Sequence, residues 1–257
     1  MTTENNKKNE GNSENSKEQV MPFLDHLEEL RKRLLWCILS VVLISAVGYF
    51  FSEHIMNFLL RPYPSGEKLI FLAPTEGFIV HIKVAVFAGI IISLPIIFYQ
   101  LWQFVAPGLY KKERKYVPLI VFYSSFFFLV GAAFCYFVII KYGLNFLLGF
   151  GSDKLEPAIQ IKEYLKFVTL LIMVFGIIFE LPLLSFFLTK MGILTPEFMR
   201  SKSRYGIVLI FMFAAILTPP DVVTQLFLAG PLILLYEISI WVSKFSLQKD
   251  TENENDS

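Results

Sequence analysis

Apolar residues fall in long blocks separated by short polar links. A hydrocarbon core of about 30 Å needs about 20 helical residues at about 1.5 Å each. The pattern predicts six spans, at about 34–51, 78–99, 116–140, 165–188, 205–217 and 222–242. Pro95 interrupts the second, and Pro118 sits near the start of the third, where proline costs a helix little. Glu180 and Pro182 fall inside the fourth, and Gly230-Pro231 breaks the sixth. Only Thr218-Pro219-Pro220-Asp221 separates the last two, a prolyl pair that disfavours helix and forces a tight reversal. The fifth span would be only about 20 Å long. It is either a buried or re-entrant segment or half of a hairpin of short spans, and the brief link favours the hairpin.

Charge orients these spans. Sixteen Lys and Arg fall before span one, after spans two and four, and after span six, against seven in the opposite loops and adjoining span ends. Cytoplasmic loops carry the excess, so both termini are expected in the cytoplasm. The fold expected is an all-α polytopic membrane protein. Residues 1–20 are polar, with almost nothing to bury, and are expected to be disordered. The membrane domain covers 21–245, followed by a polar tail over 246–257. No removable signal peptide opens the chain, so span one is expected to direct insertion.

Composition narrows the function. The chain is 55% hydrophobic with a net charge of +1, which points to no nucleic-acid partner. Cys37 and Cys135 lie in apolar runs and read as small buried hydrophobes. His26, His54 and His81 have no metal-ligand spacing, and no catalytic or cofactor motif is visible. The chain is not expected to be an enzyme or to carry a cofactor.

Three places could carry chemistry. Before span one, Phe23, Leu24, Leu27, Leu30 and Leu34 recur at helical spacing, while Asp25, Glu28, Glu29, Arg31 and Lys32 fill the remaining arc. Pro22 suits a first helical turn, and Glu28–Lys32 and Glu29–Arg33 have favourable i,i+4 polarity. Read alone, this is an interfacial helix that lies on the membrane and then turns into span one. After span two, Trp102, Phe104 and Tyr110 suit the membrane interface, Pro107-Gly108 breaks the chain, and Glu113 sits alone among four cations. Read alone, that is a positive-inside loop with one incidental carboxylate. Glu180 differs, because a carboxylate inside an apolar span costs about 2.5–3.5 kcal/mol if ionised. It either serves a function or is a neutral, hydrogen-bonded acid within the bundle. Pro182 frees a backbone carbonyl beside it and bends the helix. Gln225 and Glu237, on span six, are weaker signals of the same kind.

Six motifs in order on this frame, from about Met21 to about Phe245, resemble the TatC family, the multispanning receptor subunits of the twin-arginine (Sec-independent) protein translocase. They are "FLDHLEELRKRLL", "APTEGF", "LWQFVAPGLYKKER", "FELP", "MGILTPE" and "LTPPDVVTQ". The resemblance implies that the chain binds paired-arginine signal peptides of folded cargo. With TatA- and TatB-type single-span partners it would export that cargo across the bacterial cytoplasmic (inner) membrane, using the proton-motive force. It implies that Glu29 and Glu113 recognise the arginine pair, with Arg31, Phe104, Pro107 and Tyr110 in the same site. The paired acids leave open whether Glu28 or Glu29 makes the contact. It implies that Glu180, with Pro182, lines a concave intramembrane groove. Pro62 and Glu76 would shape the outer loop, and Asp221 and Gln225 the outer hairpin and the edge that meets partners. The competing reading is a secondary transporter or proton channel using Glu180. A transporter usually needs several polar groups near the midplane, whereas here the distinctive polar residues crowd one face.

Overall fold

The computed structural model describes residues 4–64, 69–105, 117–149, 158–217 and 222–255. Among the described residues ten α-helices follow in order: α1 Glu4–Tyr49, α2 Ser52–Leu60, α3 Glu76–Val105, α4 Val117–Phe134, α5 Lys141–Leu148, α6 Ile161–Ile178, α7 Leu181–Lys190, α8 Pro196–Ser201, α9 Ser203–Leu217 and α10 Val222–Asn255. A π-helical stretch, Cys135–Ile140, joins α4 to α5. Among the described residues four continuous runs are long and apolar enough to cross a membrane: Glu76–Phe104, Val117–Leu148, Ile161–Lys190 and Val222–Ser246. His26–Tyr49 passes together with α2, across an 85° bend, and Ser203–Leu217 is a shorter apolar helix. Each of the six apolar blocks carries a helix; the fifth is short, whereas the sixth, expected to be the other half of a hairpin of short spans, is long enough to cross a membrane because its apolar run continues past Gly230-Pro231.

Several boundaries differ from the sequence expectation. α1 begins at Glu4, and Pro22 lies well inside the helix instead of in its first turn. Once the apolar run has nucleated a helix, extending it needs no second nucleus, and Glu, Lys and Gln extend it readily. No break separates the opening stretch from span one, so the interfacial helix that turns into the membrane is replaced by one rod. Neither Pro95 nor Gly230-Pro231 breaks its helix. Each proline removes one ladder bond, a loss that membrane helices tolerate where neighbouring groups satisfy the freed carbonyl. The third run continues to Leu148, beyond Ile140, through the π-helical stretch. The polar tail continues α10 as far as Asn255.

The bundle keeps an apolar core, with Phe128, Leu171 and Phe175 among its buried side chains, but α1 inverts the soluble pattern. On α1, Leu27, Leu30, Leu34, Val42 and Val47 are exposed, whereas Ser45 and Gly48 are buried. Lipid is as apolar as leucine, so the large side chains of α1 lose nothing by facing outward, and small residues let backbones approach. Gly89 of α3 shows the consequence: an added Cβ would stand 2.0 Å from Ser45 Oγ and 3.0 Å from Ser45 Cα. Between α4 and α6 the same device operates twice, with Gly131 against Phe175 and Phe179 and Gly176 against Phe128.

Polar bonds fix the helix ends. Tyr136 and Tyr164 donate to the carbonyls of Phe58 and Leu59 at 2.6 and 3.0 Å, in the last turn of α2, where Phe58 O also accepts from Arg61 N. The segments entering α3 and α6 meet in a parallel bridge, Ile70 N to Ile159 O and Ile161 N to Ile70 O. α7 ends at Gly192, whose φ of +71° favours glycine. Gly192 N donates to Thr189 O and Ile193 N to Leu188 O, a Schellman stop. Thr195 then caps α8 through Phe198 N, with Pro196 in the first turn. α7 and α10 are sewn together by Ser185 to Ser239 O and by Thr189 with Ser243.

Candidate functional site

The opening stretch presents its polar row, not its leucines, to the bundle. His26, Glu29 and Arg33 stand at i, i+3 and i+7, one face of α1. That face meets the end of α3. The His26 ring stacks on Phe104, with centroids 4.3 Å apart and planes 15° from parallel. Arg33 Nε donates to Glu29 Oε1 at 3.0 Å, its Nη2 reaches the same oxygen, and its Nη1 donates to Gln100 Oε1 at 3.3 Å. One guanidinium therefore joins a carboxylate of α1 to an amide of α3. The other carboxylate oxygen, Oε2, lies 4.0 Å from His26 Nδ1.

Glu29 stands one turn outside the apolar run that begins at Leu34. The hydrogen bond from Arg33 holds its carboxyl below the ordinary carboxylate range. Partial desolvation opposes this, and the charges of Arg33 and His26 add to the lowering. Glu28 and Arg31 are exposed, and among the described residues no ion pair joins Glu28 to Lys32. The structure thus brings Glu29 and Phe104 together and leaves Glu28 and Arg31 on the outer arc. Pro107, Tyr110 and Glu113 lie outside the described residues, as does Asp221 with the Thr218–Asp221 link.

Trp102 departs from the expected interfacial position. It is buried, and its indole N–H donates to Ser124 Oγ of α4 at 3.1 Å, with Phe187 edge-on at 4.7 Å. A buried indole needs an acceptor, and Ser124 supplies it. Ser124 leads to Glu180. The Ile161–Lys190 run carries a local turn at Phe179–Glu180, between α6 and α7, and Pro182 lies in the first turn of α7. Glu180 is 5% exposed, enclosed in the bundle with Ser124 and the Phe128 backbone against its carboxyl. Its Oε1 has no hydrogen-bond partner among the described residues. Trp102, Ser124 and Glu180 form a short polar chain through α3, α4 and the α6–α7 turn. A buried acid with an unmet acceptor is costly and is most often kept for use.

The remaining expected residues have intramolecular roles. Pro62 lies in the turn after α2, lining a hollow with Arg61, Tyr63 and Lys141. Glu76 is buried at the first position of α3 and accepts from Leu72 N at 2.8 Å, which folds its own entry loop. Gln225 donates to Phe211 O at 3.0 Å and ties α10 to α9. Sequence reasoning missed His26, Gln100 and Ser124 as site residues, and it listed Arg33 only as a pairing partner. The spacing of His26, Glu29 and Arg33 was the available signal, masked by the leucine stripe beside it.

The family model for the Sec-independent protein translocase protein TatC matches residues 25–231. A Sec-independent protein translocase protein TatC from Desulforapulum autotrophicum is 41% identical over 242 residues, covering 92% of this chain and 90% of the relative. One from Helicobacter pylori strain J99 is 45% identical over 232 residues, covering 90% and 92%. A crystal structure of the twin-arginine translocase receptor TatC superposes with a TM-score of 0.77 at 39% identity, over 86% of this chain and 99% of that one.

Proposed function

Because the chain belongs to the TatC family of Sec-independent protein translocase proteins, a multispan bacterial inner-membrane family, we propose that it is the signal-peptide receptor of a twin-arginine translocase. The observation that carries this is the Glu29–Arg33–Gln100 contact. A carboxylate at one end of the bundle already holds a guanidinium, and among the described residues its second oxygen has the His26 ring 4.0 Å away and no hydrogen bond. An incoming arginine binds that oxygen or exchanges with Arg33. Guanidinium is planar and permanently charged and can bind a carboxylate bidentately, which lysine cannot. Glu113 takes the second arginine, with Pro107 and Tyr110 shaping the same loop. The cations around both acids discourage any ligand that does not satisfy the carboxylates.

In this reading the chain crosses the membrane six times with both termini in the cytoplasm, so the recognition end faces the cytoplasm. TatA- and TatB-type single-span partners complete the translocase, which draws on the proton-motive force. Glu180 acts after capture, as a buried polar station for the part of the peptide that enters the bundle. Asp221 and Gln225 belong to the short outer hairpin, the edge for partner contact.

The test is direct binding. The purified chain in lipid nanodiscs is titrated with a fluorescent signal peptide bearing Arg-Arg and with its Lys-Lys version. The Arg-Arg peptide is expected to bind about tenfold or more tightly, the scale of one charge-assisted hydrogen bond. Equal affinities would remove the arginine-recognition role.

A further inference from the structure

Lys83, on the second turn of α3, has no part in the recognition end. It opens onto a groove of about 470 Å³ between α3 and α6. Lys162 and Lys166, on the first turns of α6, line the same groove. The paired segments before α3 and α6 put these three ammonium groups at one end of the bundle. Deeper walls are apolar: Val86 and Ile90 on α3, Leu170 and Met173 on α6. Ile90 and Met173 lie seven residues beyond Lys83 and Lys166, about 10 Å further along their helices. The groove is therefore cationic at its mouth and hydrocarbon-like below.

Glu163 lies 3.7 Å from Lys166, and both are exposed, so that pair offsets little of the charge. Among the described residues Lys83 and Lys162 have no carboxylate partner. Lysines near span ends ordinarily snorkel singly toward water. Three lining the upper part of one apolar slot instead suit an anion with an alkyl chain, and basic pockets between membrane helices take anionic lipid headgroups.

We infer that the α3–α6 groove is a binding site for an anionic phospholipid. The phosphate is held by Lys83, Lys162 and Lys166, and an acyl chain lies along Val86, Ile90, Leu170 and Met173. On the proposed orientation the lipid comes from the outer leaflet. Charge sign and depth select this occupant: an apolar peptide segment could use the walls but would leave Lys83 and Lys162 without an anion.

Native mass spectrometry of the full-length chain in detergent tests the inference, with dioleoyl phosphatidylglycerol and dioleoyl phosphatidylcholine as probes. Wild type is expected to retain phosphatidylglycerol preferentially. The combined K83Q/K162Q/K166Q variant loses about tenfold or more of that retention. Lys202→Gln with Lys244→Gln, at the opposite end, leaves it unchanged. Thr169→Trp, which fills the groove with the lysines intact, also lowers it. Equal retention of the two lipids, no loss in the triple variant, or displacement by inorganic phosphate would overturn the site. So would a triple variant that loses signal-peptide binding while keeping its phosphatidylglycerol, which would make the groove a peptide seat.

Discussion

A carboxylate can hold an arginine from another chain only if it is ionised, oriented and reachable. Glu29 meets all three conditions. Arg33 keeps it charged below the ordinary carboxylate range, the fork from Arg33 to Gln100 fixes its rotamer, and over a third of its side-chain surface is open. Because the hydrogen bond from Arg33 is the main cause of the lowering, Arg33→Gln is expected to raise the Glu29 pKa. Peptide affinity, measured by titration as pH falls, should then be lost at a higher pH in that variant than in wild type. An unmoved or lower midpoint would contradict the role given to Arg33. At this scale the sequence proposes a residue type and a region. "EE" offers two acids, and the direction in which α1 packs sets Glu29 toward α3 through Arg33 and leaves Glu28 exposed. The partners Gln100 and Ser124 were illegible because each lies on another helix, 67 and 22 residues from Arg33 and Trp102.

The helices were the most legible level, because blocks of apolar residues near 20 long have few other uses in a folded chain. Helix faces were read less well. The stripe of leucines before span one points outward, since in a bilayer the large apolar face meets lipid and the small and polar row meets protein. Proline positions misled for a related reason: Pro95 and Pro231 sit inside continuous helices whose neighbours absorb the lost bond. The close approach of α1 to α3 gives a sharp consequence. Gly89→Ala drives a Cβ into Ser45, backbone included, and is expected to destabilise the bundle by about 1–3 kcal/mol. Gly143→Ala, with nothing within 4 Å of the added carbon, should be neutral or stabilise α5 by about 0.5–1 kcal/mol. Thermal melting in one detergent compares the two. Equal melting temperatures would show that the α1–α3 contact is not tight.

For the molecule as a whole, the proposed function divides the work between two acids. In it Glu29 meets the arriving peptide, whereas Glu180, buried between α6 and α7 with one oxygen unpartnered among the described residues, acts later. Glu180→Gln keeps the size and removes the charge. It is expected to leave peptide capture within about twofold of wild type, as for a substitution outside the contact, while strongly impairing export of folded cargo in cells. Normal export would take Glu180 out of the mechanism. Neither role was legible from composition, which gives only a membrane protein; the division follows from where the folded chain sets each acid.

The central claim is that this end of the bundle reads arginines through Glu29. Site-specific photocrosslinking in native membranes tests it most directly, with a probe at position 104 beside His26 and another at position 113. An Arg-Arg signal peptide should crosslink at both. The signal should fall about tenfold or more with the Lys-Lys peptide and with Glu29→Gln, yet persist with Glu28→Gln. Equal crosslinking of the two peptides, or a loss that follows Glu28 instead of Glu29, would contradict the account.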